Sequence, residues 1–85
     1  MSANVIVYST ATCPYCVRAY ALLDRKNIAY DVIYIDQNPE LRDEMIAKSG
    51  RRTVPQIFIN DQPIGGCDDL YALNSQGQLD KLLQL

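Results

Sequence analysis

The sequence predicts an α/β fold: a four-stranded mixed β-sheet flanked by helices, in the order β-α-β-α-β-β-α. Three observations carry that prediction. Two runs rich in β-branched and aromatic residues, Val5-Ile6-Val7-Tyr8 and Tyr30-Asp31-Val32-Ile33-Tyr34-Ile35, bracket a helical apolar pattern. A second helical pattern follows, and after it the alternation gives way to a hairpin of two short strands around Asn60-Asp61-Gln62-Pro63. Strands joined through a helix run parallel with a right-handed crossover, and strands joined by a tight turn run antiparallel, so the sheet is mixed.

Each element has its own local reason. Val5 to Tyr8 is a short buried strand. Cys16, Ala19, Tyr20 and Leu23 fall at i, i+3, i+4 and i+7, with Arg18, Arg25 and Lys26 off that stripe, which predicts an amphipathic helix over about 14–26. Pro14 suits its first turn, where a missing N–H leaves nothing unpaired. Residues 30–35 form the second strand. Asn38 followed by Pro39 is an N-cap and an N1 proline, opening a helix that runs through Leu41, Met45 and Ile46 to Gly50. Gln56-Ile57-Phe58-Ile59 is the third strand, residues 60–63 carry turn chemistry, and Ile64 opens a return strand ended by Gly65-Gly66. Asp68 or Asp69 caps a third helix through Leu70, Tyr71 and Leu73, and Leu79, Leu82 and Leu83 add a last turn or two after Gly77.

With 85 residues, the chain is read as one domain, 1–85, without repeats or linkers. A domain of that size buries roughly 60–65% of its unfolded surface, and a 48% hydrophobic composition is enough for a core without disulfide staples. The formal charge of −2 and the dispersed basic residues, Arg51-Arg52 excepted, argue against nucleic-acid or anionic-membrane partners. No apolar run approaches the roughly 20 residues of a membrane span. Met1-Ser2-Ala3-Asn4 shows no basic stretch leading into an apolar segment, which points to the cytoplasm and its reducing thiol pool.

The chemistry is concentrated in Cys13-Pro14-Tyr15-Cys16. Two cysteines three positions apart, after a strand and at the opening of a helix, hold their sulfurs one turn apart and can cycle between dithiol and disulfide. The competing use of such a pair is half of a zinc site. That would need two further ligands, and the chain offers no His and only one other cysteine, Cys67.

Taken with Thr53-Val54-Pro55 and Gly65-Gly66-Cys67-Asp68-Asp69, in this element order, the motif closely resembles the dithiol glutaredoxins, in particular their short bacterial kind. The resemblance covers nearly the whole chain. It implies a thioredoxin fold and a glutathione-dependent thiol–disulfide oxidoreductase, with glutathione as reducing co-substrate and no tightly bound cofactor or metal. Its substrates are disulfide-bonded and glutathionylated proteins, ribonucleotide reductase being a candidate, and a monomer is expected.

Physical chemistry divides the labour. Cys13 lies at the helix start, where unpaired N–H groups and the positive end of the macrodipole favour a thiolate, the attacking species. Cys16, one turn deeper, stays a thiol until needed. Cys13 is thus the nucleophile and Cys16 the resolver. Glutaredoxins commonly carry a lysine shortly before the first cysteine, but here the segment reads Ser9-Thr10-Ala11-Thr12, leaving Arg18 as a partial substitute.

By resemblance, the Val54-Pro55 bond is cis and faces the cysteines, and Thr53 and Val54 offer their backbone edge to the cysteinyl unit of glutathione. Gly66 permits close approach, the backbone of Cys67 and Asp68 holds the γ-glutamyl carboxylate, and the Asp68 side chain meets its amino group. Tyr15 walls the groove. Arg42 or Arg52 supplies a cation for the glycine carboxylate. A different class of function, an iron–sulfur carrier with Cys13 and glutathione from two protomers as ligands, is the alternative.

Overall fold

A computed structural model describes residues 3–84; Met1, Ser2 and Leu85, the outermost residues of the expected domain, lie outside the described residues. The elements are β1 (Val5–Ser9), α1 (Pro14–Arg25), β2 (Asp31–Tyr34), α2 (Pro39–Ser49), β3 (Gln56–Ile59), β4 (Gln62–Gly65), α3 (Cys67–Ser75) and α4 (Gln78–Leu82). The sheet order is β2-β1-β3-β4, with β1 parallel to β2 and antiparallel to β3, and β3 antiparallel to β4.

Side chains alternate across the two central strands, so each face of the sheet acquires its own core. Val5, Val7, Ile57 and Ile59 meet Ala19, Leu22 and Leu23 of α1, Leu70 of α3, and Leu79 and Leu83 on one face. On the other face, Tyr8 and Phe58 pack with Ile35 and Met45 of α2, the two rings edge to face at 5.4 Å. The Tyr8 hydroxyl donates to Glu44 at 2.9 Å, and burial together with that carboxylate pushes its pKa up to about 12. Helices on both faces follow from the two periodicities in the sequence.

The caps are local. The Asn38 side chain accepts the N–H of Glu40 at 3.0 Å, Pro39 follows, and Gly50 ends α2 at φ 75° in the left-handed region.

Two boundaries differ from expectation. The hairpin turn is only Asn60-Asp61, both at positive φ (52° and 67°), and β4 resumes at Gln62. That is a two-residue turn of type I′, whose twist matches the flanking strands and which Asn and Asp tolerate well. Pro63 therefore lies in an edge strand opposite Phe58, beside a register shift between Ile57 and Phe58. The third helix begins at Cys67 with Gly66 as N-cap, rather than at a capping Asp68 or Asp69.

Topology brings the motifs together. Because β3 runs antiparallel to both its neighbours, the end of β1, the start of β3 and the end of β4 share one edge of the sheet. The cysteine pair follows the first, Thr53-Val54-Pro55 precedes the second, and Gly65-Gly66-Cys67-Asp68 follows the third.

Candidate active site

Cys13 is the N-cap of α1, in extended backbone, and its own sulfur does the capping: Sγ accepts the N–H of Cys16 at 3.2 Å. Partly exposed, that sulfur also lies 3.9 Å from the carbonyl oxygen of Val54. Cys16 is 1% exposed. Burial first, then its hydrogen bond with Cys13, pushes the Cys16 thiol up to about 11. The two sulfurs therefore occupy unequal environments, one presented to a ligand and one held back. Behind them, the N–H of Ala11 donates to Asp36 at 3.1 Å, tying the loop after β1 to the loop after β2.

Beside Cys13, on the far side of Val54, lies a cleft of about 300 Å³ lined by Tyr15, Arg51, Thr53, Val54, Pro55, Gly66, Cys67, Asp68 and Asp69. Seven residues singled out in the sequence, Tyr15, Thr53, Val54, Pro55, Gly66, Cys67 and Asp68, thus share one surface. The Val54-Pro55 peptide is cis. Tyr15 is 55% exposed and carries the Arg18 guanidinium 5.6 Å above its ring, so Arg18 serves the cleft wall as a cation–π partner. Cys67 is buried, and burial with the neighbouring Asp68 raises its pKa, which makes it a poor nucleophile. A larger hollow of about 400 Å³ over Ile6, Tyr8 and Phe58 lies on the α2 face and contains no cysteine.

The three arginines of this region are placed differently. Arg42 is exposed on α2 and Arg52 on the following loop, and neither lines the cleft; Arg51 does. The reason is a local clamp. Ser49 Oγ donates to the Met45 carbonyl at 2.7 Å and accepts the Arg51 N–H at 3.1 Å, and the Arg51 guanidinium reaches Asp69 at 2.8 Å. Ser49 before the left-handed Gly50 was the available signal for that clamp, though its direction depends on Asp69, 18 positions further on.

Asp69 links the helix cap to the cleft. Its carboxylate accepts the Gly66 N–H at 2.9 Å and pairs with Arg51, and these two contacts, the Gly66 bond first, hold its carboxyl below the ordinary carboxylate value. A depressed folded-state pKa contributes stability that is complete above the unfolded value of about 3.9 and is lost as pH falls toward the folded value. The acid limb of stability against pH, measured by denaturant titration below about pH 4, is therefore expected to flatten in Asp69→Asn. Superimposable acid limbs would remove this carboxylate from the account.

Among the described residues no three His, Cys, Asp or Glu side chains converge as a metal-binding group, and no helix is long and apolar enough to cross a membrane. Residues 5–64 match the family model of glutaredoxin. The chain is 58% identical over 82 residues to glutaredoxin 3 of Escherichia coli, covering 96% of this chain and 99% of that one. Among solved structures it resembles the glutaredoxin of Brucella melitensis (TM-score 0.85, 54% identity, 96% of this chain and 89% of that one). It also resembles a buckwheat glutaredoxin–glutathione complex (TM-score 0.89, 32% identity, 96% and 77%). Sulfur pair, sheet order and relatives agree: the chain belongs to the glutaredoxins, glutathione-dependent thiol–disulfide oxidoreductases built on the thioredoxin fold.

Proposed function

We propose that in this glutathione-dependent oxidoreductase Cys13 is the attacking sulfur, Cys16 the resolving one, and the adjoining cleft the seat of glutathione. The observation that carries the reading is the inequality of the two thiols: Cys13 presented at the helix start beside Val54, Cys16 buried with a raised pKa.

In the dithiol route the Cys13 thiolate attacks one sulfur of a protein disulfide. A mixed disulfide forms, and the departing protein thiolate takes up a proton. Cys16 then attacks Cys13 Sγ, releasing the second protein thiol and leaving a Cys13–Cys16 disulfide. One glutathione opens that disulfide to a Cys13–glutathione mixed disulfide, and a second restores the dithiol as glutathione disulfide leaves. In the monothiol route Cys13 takes glutathione directly from a glutathionylated protein, and the second glutathione completes the cycle.

The groove reading rests on the same cleft. Val54 and Thr53 present backbone beside the reactive sulfur, Tyr15 and Pro55 form walls, and Gly66, Cys67 and Asp68 form the helix start that receives an anion. Arg51, the arginine in the lining, is the cation the cleft offers to a glutathione carboxylate. The buckwheat relative is described as a glutathione complex, which supports glutathione as the ligand. The chain acts as a single-domain monomer in the cytoplasm on disulfide-bonded and glutathionylated proteins, ribonucleotide reductase among the candidates, with glutathione exchanged at each turnover rather than retained.

Steady-state kinetics with a glutathionylated peptide test the groove. Arg51→Ala and Asp68→Ala are each expected to raise KM about three- to tenfold, the range of one partly exposed charged contact, while Arg52→Ala leaves it unchanged. An unaltered KM in both of the first two variants would empty the cleft of its assigned ligand.

A further inference from the structure

The first residue of β3 is a glutamine shut away from water: Gln56 is 1% exposed. It stands opposite Tyr8 of β1, and side chains directly opposite each other in an antiparallel ladder share a face, so its amide enters the layer of Tyr8, Phe58 and Met45. There Nε2 donates to the Thr53 carbonyl at 3.0 Å and to Thr53 Oγ1 at 3.2 Å. A carbonyl oxygen only accepts, so the nitrogen end of the amide is the end that faces Thr53. The other end, Oε1, is buried with no hydrogen-bond partner among the described residues. Folded proteins rarely leave a buried amide half satisfied, and the exceptions concentrate where an arrangement serves something besides stability. An apolar side chain of equal length would fill the same space without that oxygen. It could not hold Thr53.

The consequence lies one peptide further on. In a planar trans peptide the C=O and the N–H point in opposite directions. The Thr53–Val54 peptide is trans, the cis bond being the next one. With its carbonyl drawn inward to Gln56, this peptide turns the Val54 N–H away from the core, and that N–H has no backbone partner among the described residues. The Val54 side chain packs against the Tyr8 and Phe58 layer, and its carbonyl oxygen lies 3.9 Å from Cys13 Sγ. One residue thus presents a donor and an acceptor beside the reactive sulfur, the two groups that an added strand pairs with.

We propose that Gln56 is a positioning residue for glutathione: its buried amide holds the Thr53 carbonyl inward, so that the Val54 N–H is set for an extended peptide ligand before the ligand arrives. The inference rests on the cleft being the seat of glutathione. Presenting the edge in a fixed orientation removes its ordering cost from the binding step. The effect is confined to ligands that carry peptide groups and leaves the sulfur chemistry of Cys13 alone.

Kinetics with two substrates test this. Gln56→Met keeps the length of the side chain and removes both donors. It is expected to raise KM for a glutathionylated peptide about fivefold with kcat within about twofold, since the lost interaction serves bound substrate and transition state alike. Attack of Cys13 on the disulfide of 2-mercaptoethanol, which has no peptide groups, should stay within about twofold of the parent rate when glutathione is left out. An unchanged KM in the folded variant, or equal losses on the two substrates, would overturn the proposal. Nuclear relaxation of the parent protein keeps the test decisive if Gln56→Met folds poorly. The Val54 N–H should show an order parameter of about 0.85 without ligand, and a value below about 0.6 that rises only on loading with glutathione would equally overturn it. The cleft assignment is read separately, from Cys16→Ser carrying glutathione on Cys13: a Val54 amide resonance unmoved by that loading would remove the ligand from the cleft, and the role of Gln56 with it.

Discussion

Cys13→Ser is expected to reduce every exchange reaction to the uncatalysed background, whereas Cys16→Ser keeps removal of glutathione from proteins within about threefold and loses at least about tenfold in reduction of protein disulfides. The asymmetry follows from position. Cys13 is the only one of the three cysteines both partly exposed and set at a helix start; Cys16 and Cys67 are buried. Serine in place of Cys13 still caps the helix through the Cys16 N–H, so loss of activity would report the sulfur and not the fold. Monothiol exchange needs one protein sulfur, and dithiol exchange needs two. Paired assays on a glutathionylated peptide and a disulfide-bonded protein separate them, and equal losses in folded Cys16→Ser would contradict the two-route scheme.

Gly65→Ala should be the most damaging single change outside the sulfurs. Gly65 sits at φ 112°, and a Cβ there would stand 2.3 Å from Asp69 Oδ2 and 2.7 Å from its Cγ. The carboxylate must swing away, breaking both its bond to the Gly66 N–H and its pair with Arg51. Backbone strain of about 1–3 kcal/mol and a lost cap of about 0.5–2 kcal/mol add to roughly 2–4 kcal/mol. For a domain of this size that lowers Tm by roughly 10–25 °C. The cleft loses the orientation of Arg51 and the start of α3 together, so KM for a glutathionylated peptide should rise at least about tenfold. Gly77→Ala is the comparison: φ is 74°, but no atom lies within 4 Å of its Cβ position, so only the backbone penalty of about 1 kcal/mol applies. Matching Tm changes in the two variants would show that the Asp69 contact is immaterial.

Much of this arrangement was legible because its signals are local. Asn38-Pro39 and Gly50 announce the two ends of α2 by their own backbone and side-chain preferences, and the apolar stripe of α1 places Cys16 inward and its polar neighbours outward. The three motifs that line the cleft were readable through their resemblance to the glutaredoxins, and strand direction is what brings them together in space. What escaped depends on groups distant in the chain. Asp69 caps α3 from its third residue by reaching back to Gly66, so the cap is a glycine with no side chain to betray it. Choosing Arg51 over its neighbour Arg52 requires knowing where Asp69 stands, and the tie between Ser9 and Tyr20 joins a strand to a helix across 11 positions. Pro63 looked like turn chemistry because a shorter turn, Asn60-Asp61, does that work.

The position of Pro63 bears on how this molecule keeps company with copies of itself. A sheet that stops at β4 offers its outermost backbone as a template on which another extended chain can grow, the first event of fibril formation and of edge-to-edge association. At Pro63 the template has a gap: the ring nitrogen has no hydrogen to give, and the register shift beside it bends the strand out of line. A newcomer strand would meet a missing donor within a run of only four residues, too short to gather pairing elsewhere. Pro63 thus guards the β4 border of the sheet against an incoming strand.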